Sequence, residues 1–479
     1  MSLPRIGLGI AVALLLPTAT LADASADAVR RWNRVAIDAS GLDHTPVAPG
    51  ATDHAYGEQL GPGRSSRAMA IVHVAIFETV NALAGTPYKS YLRLLAPTPN
   101  ASAEVAVAVA AHDTLVAMYP SQRARLDAFL REDLRGQPPR RAAQTLRGVA
   151  LGRRAANLIL SRREGDGSDY VEPRMGSEFV PSDQPGFWRE DPISHGAIAL
   201  GAKWGAVTPF VLQSPDQFRA PAPPPLASGE YAAAYHEVRA LGGDGVVTPT
   251  LRTDEQTQIG IYWAYDGTPS LCAPPRLYNQ VALQIAQVRG TANAVQLARL
   301  LALVNVAMAD AGIAIWESKY HYQLWRPVTG IRESDPGTGP TGLGDGNDQT
   351  GGDPGFTPLG APASNGAGPN FTPPFPAYPS GHAGFGGALF QVLRRFYGTD
   401  AIPFTFVSDE FNGQTRGNDG AVRPLLPRSF ASLSEAEEEN GQSRIYLGIH
   451  WSFDKTLGIA QGREVGDYVF DHLYPKRGR

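Results

Sequence analysis

Three short stretches of the chain carry residue types whose spacing suits oxyanion chemistry. The first is Lys319-Tyr320-His321-Tyr322-Gln323-Leu324-Trp325-Arg326-Pro327. Lys319 and Arg326 stand seven residues apart, so a helix through both would project them from nearly the same face. Pro327 helps end that helix. An arginine offers a planar fork and a lysine a point charge, and the two together can hold a multivalent oxyanion. The second stretch is Phe375-Pro376-Ala377-Tyr378-Pro379-Ser380-Gly381-His382. Ser380 is suited to cap a helix whose first turn contains Gly381 and His382. The free backbone N–H groups and the positive end of the helix then favour an anion. His382 would stand beside that anion as a general acid or base.

The third stretch runs from Ser443-Arg444 through Gly448-Ile449-His450 to Asp454. Arg444 and His450 are six residues apart, which does not align them on one continuous helix. Gly448 suggests a break, with a new helix starting at His450. Asp454 then lies one turn on, where it can accept from Nδ1 of His450 and leave Nε2 free as a ligand or nucleophile. Singly, each stretch has an ordinary explanation: solvated cations, a helix cap, a buried histidine satisfied by an aspartate. Jointly, Lys319, Arg326, Ser380, Gly381, His382, Arg444 and His450 supply three cations, a helix N-terminus, an acid/base and a nucleophilic nitrogen. That set suits a tetrahedral oxyanion passing through five-coordinate geometry.

The elements that must position these residues read as helices. Apolar residues recur at helical spacing over 66–83, 103–118 (with Ser102 as cap), 139–164 and 292–325, and later helices are expected over 380–397, 432–447 and 451–470. Strand alternation is scarce, so the fold class is all-α, with helices long enough for bundles. The anion site is expected at one end of a C-terminal four-helix-type bundle. Two stretches punctuate the helices: 208–229 contains six prolines, and 337–374 contains eleven glycines and seven prolines. The first reads as an ordered connector, and the second, long for a loop inside a compact chain, as a functional lid or a disordered insert.

Composition bounds the function. The chain has 479 residues, of which 43% are hydrophobic and 18% charged, enough apolar material for a large core. Basic residues number 42 and acidic ones 46, a net charge of −4 that argues against nucleic acid as the partner. One cysteine, Cys272, excludes an internal disulfide and any multi-cysteine zinc or iron–sulfur site. Residues 1–5 form a short basic head, 6–16 an apolar run, and Ala22 and Ala26 end small-residue cleavage sites. A signal peptide is expected over 1–22, cleaved after 22 or 26, followed by an N-terminal helical region over 27–250 and a catalytic helical bundle over 251–479. The expected product is exported, periplasmic or extracellular, without stable membrane insertion.

In this order, KxxxxxxRP, PSGH and SRxxxxxHxxxD resemble the vanadium-dependent haloperoxidases and the type 2 phosphatidic acid phosphatase superfamily. The likeness to vanadium chloroperoxidases is closer still. Trp316 precedes Lys319 by three residues, Thr372-Pro373-Pro374-Phe375 leads into the PSGH segment, and Tyr265-Asp266-Gly267 is followed by Pro274-Pro275-Arg276.

The resemblance implies vanadate held at Lys319, Arg326, Ser380, Gly381 and Arg444, with His450 as the axial vanadium ligand and His382 as acid/base. It implies Asp266 as the acidic partner of Arg444, and Trp316 and Phe375 as the walls of a halide pocket in which Lys319 polarises peroxide. The implied partners are hydrogen peroxide, a halide (bromide and chloride) and a small organic acceptor. Phosphate has the same shape, so the same residues could run an exported acid phosphatase, with His450 as nucleophile, Asp454 orienting it and His382 protonating the leaving group. A non-enzymatic anion-binding helical protein is the third reading. Trp316 and Phe375 favour the haloperoxidase.

Overall fold

The computed structural model describes residues 21–94 and 100–477, and most of its regular structure is helical. In chain order the helices are α1 (Leu21–Asp43), α2 (Gly61–Leu83), α3 (Ala103–Met118), α4 (Arg123–Arg135), α5 (Ala142–Arg162), α6 (Gly229–Leu241), α7 (Asp254–Tyr262), α8 (Pro274–Val288), α9 (Ala294–Tyr322), α10 (Pro327–Arg332), α11 (Gly381–Tyr397), α12 (Leu433–Tyr446) and α13 (Ser452–His472). The signal peptide expected over 1–22 lies almost wholly outside the described residues. Ser102 caps α3 as expected, accepting from the Val105 amide.

Two strands, β1 (Phe404–Asn412) and β2 (Leu425–Phe430), form an antiparallel ribbon in which Phe404 faces Phe430. Alternate residues of β1 are buried from Phe404 to Ser408, the period of a half-buried strand. The ribbon, like α1, α4, α6, α7 and α8, goes beyond the elements expected from helical periodicity. Apart from α1 and α8 these pieces are short, and short apolar runs match more than one template.

Helix α9 is the axis of the fold. It is long and apolar enough to cross a bilayer, yet its apolar window is wholly buried within the protein. Helices α1, α2, α11 and α13 all pack against it. One continuous core results, running from Ala26 on α1 to Tyr474 beyond α13. It draws on both sides of the boundary expected near residue 250, which falls between α6 and α7.

The crossing of α11 over α13 is what prepares the site. A Cβ on Gly462 would lie 2.0 Å from the Gly384 carbonyl oxygen, and one on Gly387 would lie 2.5 Å from that of Ile459. Only glycine permits such an approach. With the helices this close, the Ser380 amide at the start of α11 donates to the Asp454 carbonyl in the first turn of α13, at 3.0 Å. The PSGH and HxxxD segments thereby meet at one end of the bundle.

Candidate active site

The two expected helix-borne cations do not share a helix. Helix α9 stops at Tyr322 and Gln323 turns left-handed (φ 50°). Arg326 is extended and directly precedes α10, whose first residue is Pro327. A reversal of the chain, not helical register, brings Arg326 beside Lys319. Likewise α13 begins at Ser452 and not at His450: Gly448 (φ 71°) breaks the chain after α12, and His450 sits in the link.

Lys319 and Arg326 are buried, and both are fixed by backbone carbonyls. Nζ of Lys319 donates to the carbonyls of Pro376 (2.7 Å) and Ala377 (2.9 Å). Nε of Arg326 donates to the Phe375 carbonyl at 2.9 Å, and its Nη1 to Ile449 at 2.8 Å. Proline explains the supply of acceptors: with few N–H groups the 373–379 segment cannot pair as a strand or coil as a helix, so its carbonyls remain free for the cations.

Arg326 Nη1 also stands 2.9 Å from Nε2 of His450. Guanidinium can only donate, so Nε2 carries the lone pair and the proton sits on Nδ1. Nδ1 accordingly donates to Oδ2 of Asp454 at 2.8 Å, and the same oxygen accepts from the Trp451 amide at 3.0 Å. Burial, then the nearby Arg326 and Lys319, hold the His450 pKa well below the ordinary imidazole range, so the ring is neutral. Burial also raises the Asp454 carboxyl to about 7.

His382 lies in the first turn of α11, behind Ser380, whose side chain accepts from the Ala383 amide. Its Nε2 is 2.5 Å from the Ala264 carbonyl, which places the proton there and leaves the lone pair on Nδ1. Burial and Arg444 keep this ring neutral too. By helix geometry the Gly381 and His382 amides have no intrahelical acceptor. Arg444, at the end of α12, donates from Nη2 to both carboxylate oxygens of Asp266, at 2.7 and 2.9 Å. Trp316 and Phe375 face each other with ring centroids 4.9 Å apart, and Nζ of Lys319 lies 5.1 Å from the Phe375 ring.

Several contributors escaped the sequence reading. The Ala264 carbonyl fixes His382. Tyr278 and Asn440 both donate to the His382 carbonyl, at 2.8 and 3.0 Å. A backbone carbonyl has no sequence signature, and Tyr278 and Asn440 lie on α8 and α12, far along the chain from the PSGH segment they support. His450, His382, Arg444 and Asp266 stand at the base of a cavity of about 660 Å³ whose walls also come from the N-terminal half.

The residues present fit an oxyanion. Three buried cations, Lys319, Arg326 and Arg444, face two buried carboxylates, Asp266 and Asp454. Among the described residues, Nε and Nη1 of Arg444 have no partner although both are buried. Burying guanidinium donors without acceptors is costly, and an anion would satisfy both. Burial and the neighbouring Arg326 push the Lys319 pKa well down, and burial brings Arg326 down to about 9, which is the stress that an added negative charge relieves.

The family model described as "VCPO second helical-bundle domain" matches residues 299–476. The chain is 32% identical over 499 residues to the vanadium chloroperoxidase of Curvularia inaequalis, an alignment spanning 88% of this chain and 78% of that protein. In fold it resembles the crystal structure of the first bacterial vanadium-dependent iodoperoxidase, with a TM-score of 0.71 and 24% identity over 94% of this chain and 98% of the other. It also resembles a holo-type bacterial vanadium-dependent chloroperoxidase, with a TM-score of 0.60 and 17% identity over 89% and 96%. With an all-α fold, the motif residues gathered at one bundle end and kinship along most of its length, the chain belongs to the vanadium haloperoxidase family.

Proposed function

We propose that this protein binds vanadate and oxidises bromide, and also chloride, with hydrogen peroxide: halide, peroxide and a proton give hypohalous acid and water. The observation that carries the reading is the excess of buried positive charge, with two unpartnered Arg444 nitrogens, around the lone pair on His450 Nε2. Lys319, Arg326, Arg444, the Ser380 hydroxyl and the Gly381 amide would hold the oxyanion, and His450 Nε2 would be its protein ligand. Bound there, vanadium(V) supplies Lewis acidity without changing oxidation state.

The chain's own residues do the rest. Asp454 holds the His450 proton on Nδ1 and so keeps Nε2 available. His382, neutral and with its Nδ1 lone pair free, accepts a proton from incoming peroxide. Trp316 and Phe375 exclude water beside Lys319, and the lower local dielectric strengthens the pull of that ammonium group on peroxide oxygen. Two-electron oxidation by peroxide asks nothing of the single cysteine.

The test is peroxide-dependent bromination of a phenolic dye by the purified protein, with and without added vanadate, alongside hydrolysis of an aryl phosphate. Bromination that requires vanadate, peroxide and bromide together is the expected result. Phosphate ester hydrolysis without bromination would overturn the reading in favour of a phosphatase.

We also propose export, on the basic head and apolar run of residues 1–16. Cleavage after Ala22 is favoured over cleavage after Ala26, because Ala26 is packed in the core. N-terminal sequencing of secreted protein should begin at Asp23, and retention of the full chain in the cytoplasm would refute export.

A further inference from the structure

The cavity above the site is far larger than peroxide and halide require. A water molecule takes about 30 Å³ of liquid, so a peroxide and a halide together fill on the order of 100 Å³. The cavity holds about 660 Å³, within the range of dedicated small-molecule sites. Its carboxylate and guanidinium groups are confined to the base, where Asp266 and Arg444 pair with each other. No lysine, glutamate or other arginine or aspartate lines the remainder. His44 on the wall has Nε2 accepting from the Gly61 amide and Nδ1 beside the Ser40 carbonyl; Cys272 and Asp43 next to the ring raise its pKa to about 9, and the charge it takes is paired with Asp43 behind the wall, 3.5 Å from Nδ1. The apolar part of the wall is Leu60, Ile193, Ile198, Leu200, Phe371 and Phe385, set among a few serines and threonines and among prolines that fix the backbone before anything binds.

From this we infer that the cavity is an acceptor site: it binds one neutral, apolar, ring-bearing molecule next to the oxidising centre, so that halogen is transferred within the protein. The inference rests on the haloperoxidase reading and adds the class of acceptor to it. A charged acceptor would leave its ion without a partner against these walls, whereas a neutral arene gains from every apolar surface it covers. The transfer balances without another reagent. Hypohalous acid gives up its halogen to a ring carbon, the O–X and C–H bonds break, the C–X bond forms, and the released hydroxide and ring proton leave as water. Placing the arene within the cavity also consumes the oxidant before it reaches the protein surface.

The test compares 4-butylphenol with 3-(4-hydroxyphenyl)propionate, two phenols with the same ring activation, one neutral and one anionic. Their bromination ratio is first set with reagent hypobromous acid, then measured with the vanadate-loaded full-length protein in competition. The site requires the enzyme to favour 4-butylphenol at least about tenfold beyond the reagent ratio, 1.4 kcal/mol in barrier. Ile193→Arg, at a partly exposed wall position away from the site base, should return the ratio to the reagent value while total bromination persists. Equal ratios for enzyme and reagent would overturn the acceptor site and leave the haloperoxidase reading intact. Equilibrium dialysis provides a readout without turnover: 4-butylphenol should bind saturably at one per chain and the propionate at least tenfold more weakly. No bromination of either phenol, together with saturable binding of 4-butylphenol, would refute the haloperoxidase reading and keep the cavity as a binding site; absence of binding would refute the cavity.

Discussion

Nδ1 of His450 lies 2.8 Å from Oδ2 of Asp454, four residues along the chain, and this contact decides which imidazole nitrogen faces Arg326. Because the proton is held on the aspartate side, the nitrogen turned toward the cations is the one that can donate an electron pair. Asp454→Ala should therefore weaken vanadate binding by about 10–100-fold. Vanadate titration of the metal-free protein measures it, and unchanged affinity would remove Asp454 from this role.

The proposed function divides binding from turnover between His450 and His382. Replacing His382 with alanine leaves the three cations and the His450 nitrogen in place, so vanadate should still bind within about tenfold while turnover falls by ~10²–10⁴, the usual worth of a general acid or base. His450→Ala removes the nitrogen ligand itself and should lose the binding. Equal losses of vanadate affinity in the two variants would contradict the division.

Phe375 meets Trp316 and lies over both Lys319 and Arg326. Phe375→His admits water and a titratable group at that point. Chloride is harder to oxidise than bromide and depends more on a strongly polarised peroxide. The variant should lower the chloride-to-bromide rate ratio by about tenfold, ~1.4 kcal/mol in barrier. Steady-state rates for both halides decide it, and an unchanged ratio would sink the pocket assignment.

The crossing of α11 over α13 has no room for a methyl group. Gly462→Ala places a carbon against the Gly384 carbonyl and should cost ~1–3 kcal/mol in stability, read as a lower urea midpoint. Vanadate affinity should fall with it, since the crossing sets the distance from Ser380 to Asp454. A variant as stable as the parent would mean that the helices separate freely.

His73 on α2 is fully buried, and neither ring nitrogen has a partner among the described residues. Burial lowers its pKa from 6.5 to about 3. The unfolded chain takes up this proton below pH 6.5 while the folded one stays neutral, so stability is full above that value and falls as pH drops toward 3, by up to ~1.4 kcal/mol per unit. His73→Leu has nothing to titrate. Urea midpoints between pH 4 and 7 should show the variant gaining on the parent as pH falls, and parallel curves would refute the assignment.

The sequence alone determined the helical class, the long helices α3, α9, α11 and α13, and the identity of the residues that gather at the candidate site. Those depend on local periodicity, caps and residue chemistry, all of which act over a few positions. Helical spacing misplaced Arg326, because a left-handed residue at Gln323 ends α9 early and the next helix begins only at Pro327. Tertiary structure alone decided that proline-segment carbonyls fix Lys319 and Arg326, that the Ala264 carbonyl sets the His382 tautomer, and that leucines and isoleucines of the N-terminal half wall the cavity. These contacts join residues from about 50 to over 200 positions apart. A backbone carbonyl is the same in every residue, and only the packing of α9, α11 and α13 determines which one a buried cation meets.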